Sequence, residues 1–316
     1  MLQIDGHTMG CRLLVALDAE GPAAEAALAE VPGWFAAWEQ ALSRFREDSE
    51  LAALNRRAGA GPTPVSATLW AVIRSGLEAA RLSGGLVTPT LLDALERAGY
   101  DRDFAALERE TAAAAPGSAR PTSVNDWRLV QLDAARRTVA LPRGLRLDLG
   151  GFAKGWAADT TVRRLEAVGP ALVDVGGDIA VSGPQLDGSP WPIAVADPFA
   201  PDEPLDLLMI RAGGVATSGR DYRRWRRGGV EAHHIIDPRS GEPAATDVIA
   251  ATVVAPSVQE AEAAAKTILI LGSDAGMAWL AARPHLAGLL CTASRRVLRT
   301  ETLDDYRWET AKGGQL

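Results

Sequence analysis

Cysteine is nearly absent from this chain. Cys11 and Cys291 are its two cysteines in 316 residues, too few for a disulfide framework or a thiolate metal cluster. No apolar run approaches the ~20 residues of a membrane-spanning helix. The opening residues, MLQIDGHTMG, lack the basic start and apolar stretch of a secretion signal. A cytoplasmic protein without membrane insertion is therefore expected. Positive charge is also short: the formal net charge is −7, which leaves no broad basic field for nucleic acid. No GxGxxG fingerprint follows a strand-like run, which argues against a nicotinamide-dependent dehydrogenase. Repeats, low-complexity linkers and clear domain boundaries are missing as well. With 47% hydrophobic and 23% charged residues, residues 1–316 read as one domain, or as two intimately packed subdomains.

What is present is organised around residues 145–159, LRLDLGGFAKGWAAD. Apolar Leu145, Leu147 and Leu149 predict a short strand, Gly150-Gly151 a turn, and the following residues a helix from about Ala153. Asp148 then sits at the strand's end and Lys154 on the first helical turn. A helix N-terminus offers unpaired N–H groups and the positive end of a dipole, and the glycines leave room for a ligand near the backbone. Such a turn suits an anion, most often phosphate. Taken alone, Asp148 would serve equally as a helix cap and Lys154 as a solvated residue.

Around this stretch, helices are predicted over 21–42, 49–55, 66–83, 257–271 and 274–282. Residues 101–126 read as a surface loop or short helix. Strands are predicted over 9–18, 171–175, 179–182, 192–196, 206–210, 215–219, 250–255, 286–291 and 296–300, with a hairpin over 127–141. Several strands follow one another without an intervening helix, so the expected class is α+β with a mainly antiparallel sheet.

Five motifs occur in order: LDLGGFAKGWAAD, VDVGGDIAVSG, VATSGRDY, HHIIDPRSGEP and AEAAAKTILILG, preceded by Met9-Gly10 and SRFREDSELAALN. Together they resemble the ApbE-type FAD:protein FMN transferases, over about residues 9–290. The resemblance implies the T-fold-related architecture of those flavin transferases. It also implies a Mg²⁺-dependent reaction that splits FAD and moves FMN onto a threonine of an acceptor flavoprotein, releasing AMP. Hydrolysis of FAD to FMN and AMP, or flavin binding without catalysis, are the alternatives.

Carried over position by position, the resemblance places Asp148 and Lys154 against FAD and gives Gly151 a metal-ligating carbonyl. It makes His234 the acceptor of the threonine proton and sets Ile235 and Ile236 along the flavin or adenine pocket. Met9, Phe45 and Asn55 would lie near the flavin, although the first two would also serve as core and the third as a helix end. Thr217 and Ser218 offer hydroxyls near the phosphates or ribityl chain. Asp237 closes a turn through its side chain. The basic run RDYRRWRR reads as a solvated surface segment, with guidance of FAD phosphates as its other role.

Three positions depart from the pattern. Thr88 stands where an aspartate is usual, and Glu262 and Lys266 stand where an aspartate and a threonine would ligate magnesium from one helical face. Glutamate can bind magnesium, whereas an ammonium has donors only. Either Lys266 neutralises the pyrophosphate itself, oriented by Glu262, or a divalent ion is held by Glu262, the Gly151 carbonyl, phosphates and waters. The expectation carried forward is the ion, with Gly151 and Glu262 as ligands, Thr88 beside FAD and Lys266 in a catalytic role with His234.

Overall fold

The computed structural model describes residues 1–109, 126–227 and 230–308. Its centre is an eight-stranded sheet in which each strand pairs antiparallel with the next. The strands are β1 (Leu2–Thr8), β2 (Cys11–Leu17), β3 (Ala171–Val175), β4 (Asp178–Val181), β5 (Gly213–Gly219), β6 (Val248–Ala255), β7 (Ala287–Thr292) and β8 (Val297–Arg299). Sheet order follows chain order, so everything else enters as excursions between neighbouring strands.

Between β2 and β3 come helices α1 (Pro22–Leu42), α2 (Glu50–Arg56), α3 (Ala67–Leu82), α4 (Leu92–Arg97), α5 (Phe104–Arg109) and α6 (Ala153–Leu165). After β6 come α7 (Val258–Leu271) and α8 (Ser273–Ala281). Serines set three of the helix starts. Ser49, Ser66 and Ser257 each accept a bond from the backbone N–H three residues on, at 3.0, 3.1 and 3.3 Å, satisfying donors the first turn leaves open.

Alternation along the strands divides the core. Leu13, Val15, Leu17, Val173, Val175, Ala216, Ala251 and Val253 join the helical side. Ala16, Leu172, Val181, Val215, Val254 and Leu289 join the other side, under a hairpin of Trp191–Asp197 and Ala200–Ile210. A smaller cluster of Ala94, Leu95, Tyr100, Leu107 and Ile236 lies among α4, α5 and the excursion between β5 and β6.

Two sequence expectations change. The strand predicted over 9–18 forms as β2 from Cys11, while Met9 and Gly10 take left-handed φ values of 49° and 70° and make the turn from β1, a strand the sequence reading did not include. β1 is an edge strand with few buried side chains, so its apolar signal is weak. Residues 145–149 join no strand ladder. Most of the surface segment predicted over 101–126 lies outside the described residues, and α5 begins it. No helix among the described residues is long and apolar enough to cross a membrane.

Candidate active site

The stretch before the glycine turn is held by side chains in place of a neighbouring strand. The Asn55 amide donates to the Leu147 carbonyl at 2.9 Å and accepts from the Leu147 N–H at 2.8 Å. One carboxamide thus replaces a ladder pair, both groups buried. The Asp148 N–H donates to the Pro89 carbonyl at 2.8 Å. Leu147 and Leu149, fully buried on the helical side, anchor the segment on either side of Asp148.

Asp148 does not cap α6. Its carboxylate accepts from the Gly150 N–H at 3.1 Å and pairs with Arg44 at 2.7 Å. The guanidinium in turn donates to the Tyr100 carbonyl at 2.7 Å and lies 4.2 and 4.7 Å from the Phe45 and Tyr100 ring centres. Tyr100 stacks on Trp225 of the basic run with centroids 5.4 Å apart. The Trp225 indole N–H donates to the Ala98 carbonyl at 2.8 Å. Phe45 is 42% exposed, its ring tilted against Tyr100 with centroids 5.8 Å apart.

Beyond the turn, α6 and α7 bring four charges together. Asp159 of α6 accepts the Val258 and Gln259 N–H groups at 3.0 and 3.2 Å, and so docks the start of α7 onto α6. Gly155 allows the close approach: a Cβ there would lie 2.8 Å from Glu262 Oε2. Lys154 pairs with Asp178 at the start of β4, both nearly buried. Burial opposes the Lys154 charge, but Asp178 and then Glu262 outweigh it and hold the ammonium above its ordinary range. One turn apart on α7, Lys266 donates to Glu262 Oε1 at 2.9 Å. Burial raises the Glu262 carboxyl, against the pull of Lys266. Lys266 also reaches the glycine turn, its Cε 3.2 Å from where a Cβ on Gly151 would stand.

The two adjacent histidines have different environments. His233 accepts from the Ile235 N–H at 3.3 Å through Nδ1, and its Nε2 faces the Ala244 carbonyl at 3.3 Å. Both nitrogens are used in holding the loop. His234 has one long contact, Nδ1 to the Arg223 carbonyl at 3.4 Å. Burial pushes its pKa well below the ordinary value, helped by the positive charges of Arg223 and Lys266. His234 is therefore neutral at pH 7 and lies within electrostatic reach of the α7 lysine.

The other predicted site residues are more scattered. Thr217 is exposed on β5 and shares a 2.8 Å hydroxyl contact with Thr252, while Ser218 is buried on the opposite face. Thr88 is buried and contacts the Thr90 hydroxyl at 2.9 Å. Ile235 packs into the main core and Ile236 beside Tyr100. The Met9 N–H donates to Glu39 at 3.2 Å, on the turn beside Cys11. Asp237 does close its turn, accepting from the Arg239 N–H at 2.9 Å. Sequence reasoning missed Asp178 as the Lys154 partner and Arg44 as the Asp148 partner. Both lie in motifs already quoted, but their pairing is a matter of three-dimensional register.

The donors present do not make a magnesium cage. That ion needs a near-octahedral shell of oxygens, and among the described residues no group of three or more His, Cys, Asp or Glu side chains could hold a metal. Asp178 and Glu262 already have ammonium partners. Glu262 Oε2 is buried without a hydrogen bond among the described residues, but it faces Gly155 of α6 at the close approach given above.

The ApbE family model matches residues 9–290. An FAD:protein FMN transferase of Treponema pallidum (strain Nichols) is 36% identical over 298 residues, covering 87% of this chain and 80% of that protein. One of Klebsiella pneumoniae (strain 342) is 26% identical over 275 residues, covering 86% and 79%. The fold is similar to that of the Pseudomonas stutzeri flavinyl transferase ApbE in its apo form, with TM-score 0.78, 25% identity and 96% of each chain covered. The Thermotoga maritima ApbE protein shares the fold with TM-score 0.81 at 23% identity, covering 98% of this chain and 99% of its own. With the family's match spanning the glycine turn, the α7 charge pair and the histidine loop, this chain belongs to the ApbE family.

Proposed function

We propose that this chain is an FAD:protein FMN transferase whose acceptor is a threonine of a flavoprotein. The observation that carries the reading is His234: an imidazole kept neutral by its surroundings, within electrostatic reach of a lysine that extends to the Gly151 turn. A neutral imidazole can take a hydroxyl proton, and ammonium groups with helix N–H donors stabilise charge on a transferring phosphoryl group. In the step, the threonine Oγ bonds to the FMN phosphorus and the P–O bond to the AMP phosphate breaks. The bonding electrons leave with AMP, and the hydroxyl proton passes to His234. Lys154, held by Asp178, and Lys266, held by Glu262, bind the pyrophosphate oxygens. Asp148 and Arg44 fix the near wall, with Phe45 open for stacking.

Incubation with FAD and a threonine-bearing acceptor peptide tests this directly by mass spectrometry. FMN mass on the peptide, with AMP in equal amount, is the expected result. Free FMN and AMP with an unmodified peptide would replace transfer by hydrolysis. Intact FAD bound to the protein would leave a flavin-binding protein.

A further inference from the structure

The four charges beneath the Gly150–Gly151 turn are balanced before any ion is added. Lys154 and Asp178 form one pair and Lys266 and Glu262 the other. Glu262 gives Oε1 to Lys266, and Oε2 is buried without a hydrogen bond among the described residues, 2.8 Å from where a Cβ on Gly155 would stand. Neither oxygen is open to solvent, with Glu262 3% exposed. What faces the turn is Lys266: its Nζ is 3.7 Å from the place of a Cβ on Gly151. The side chain is held there from its own helix, one turn from its carboxylate, with 16% of its surface exposed.

We infer that the Lys266 ammonium, positioned by Glu262, takes the place of a divalent cation at the pyrophosphate, so that this chain binds and cleaves FAD without metal. The inference rests on the transferase reading above. In the step as balanced there, Lys266 donates hydrogen bonds to the phosphate oxygens and keeps its protons. No co-reactant beyond FAD and the acceptor hydroxyl is required. The geometry also explains why Glu262 lies on α7 at i−4: a point charge on a flexible stem needs a partner to aim it.

Three measurements on the full chain test this: FAD affinity by flavin fluorescence, AMP release, and Mn²⁺ uptake by electron paramagnetic resonance. The protein as it stands should bind FAD equally within about twofold in EDTA and in Mg²⁺, release AMP in both, and leave Mn²⁺ free. Lys266→Thr should bind FAD at least tenfold more weakly in EDTA, the loss of a charge-assisted bond, and regain affinity with Mg²⁺. Lys266→Met, matched in length and without an oxygen ligand, should lose affinity in both buffers, and melting curves confirm that each variant is folded. FAD binding or cleavage by the parent only with Mg²⁺, or Mn²⁺ held by the parent, overturns the inference while the transferase reading stands. Failure to bind FAD in either buffer overturns both.

Discussion

Asn55 braces the backbone beside Asp148. Its amide serves both backbone groups of Leu147, 92 residues along the chain, in a buried setting. Asn55→Ala leaves a buried N–H and a buried C=O without partners, at about 1–3 kcal/mol each. A central value of about 4 kcal/mol for the pair corresponds to a fall in melting temperature of roughly 8 °C, using about 2 °C per kcal/mol for a large domain. Asn55→Asp sharpens the test. Its carboxylate accepts from the Leu147 N–H but sets a lone pair against the Leu147 carbonyl, so at pH 8 it should destabilise as much as alanine. The protonated acid can donate to that carbonyl, so the folded state raises the introduced carboxyl's pKa above the unfolded value near ~3.9. A raised pKa gives stability that is present at low pH and lost as pH rises through the folded value. The variant should therefore approach the parent as pH is lowered toward 4, while Asn55→Ala should not. Thermal melting by circular dichroism at several pH values reads this, with FAD affinity as the functional readout, since Asp148 is the next residue. An Asn55→Ala melting temperature within about 1 °C of the parent would refute the brace; that is the shift expected of a surface substitution.

The remaining predictions concern the charges and the base. Asp178→Asn strands the buried Lys154 ammonium and should cost about 3–5 kcal/mol. Because the Lys154 pKa is raised, its contribution is full below the unfolded value near ~10.4 and lost as pH rises through the folded value. Melting scans from about pH 8 to 12 should show the onset of that alkaline loss in the parent and a flatter profile in the variant; identical profiles would exclude the pair as its source. His234→Gln should lower the transfer rate by about 10²- to 10⁴-fold, with FAD affinity kept within a few-fold. The parent's rate should stay level through pH 6.5 and fall only in more acid solution, because the folded imidazole titrates well below its ordinary value. An acid limb centred at 6.5 or above would contradict that. Gly155→Ala places a methyl group 2.8 Å from Glu262 Oε2 and 3.3 Å from a Val258 methyl. Forcing α6 from α7 should cost about 1–3 kcal/mol and weaken FAD binding, whereas an unchanged melting temperature would show slack between the helices.

How far the sequence reached depended on the span of each interaction. The serine caps of α2, α3 and α7 and the Asp237 turn act within a few residues, and local pattern locates them. Lys266 and Glu262 share a face by helical geometry alone, so their pairing was also legible. Asn55 and Leu147, Arg44 and Asp148, and Lys154 and Asp178 are different. Each joins motifs that were visible separately, yet the choice of partner is made by how α2, α6 and β4 seat around the turn. The strand expected over 145–149 failed for the same reason: its apolar alternation is real, but its polar partner is a side chain and no ladder forms. Of the two histidines, only the loop geometry shows that His233 has both nitrogens occupied while His234 keeps one long contact.

The choice between an ion and an ammonium turns on one close approach. Glu262 has two oxygens, and a metal could share the carboxylate with Lys266 only if the second oxygen faced the glycine turn. Gly155 decides otherwise. Without a Cβ it lets α6 settle against α7, where Oε2 is buried, and Asp159 locks that seating by capping α7. The carboxylate is thereby buried, and the group that reaches the glycine turn is the lysine. A glycine and an aspartate on α6, neither of them a ligand, thus set which cation α7 presents.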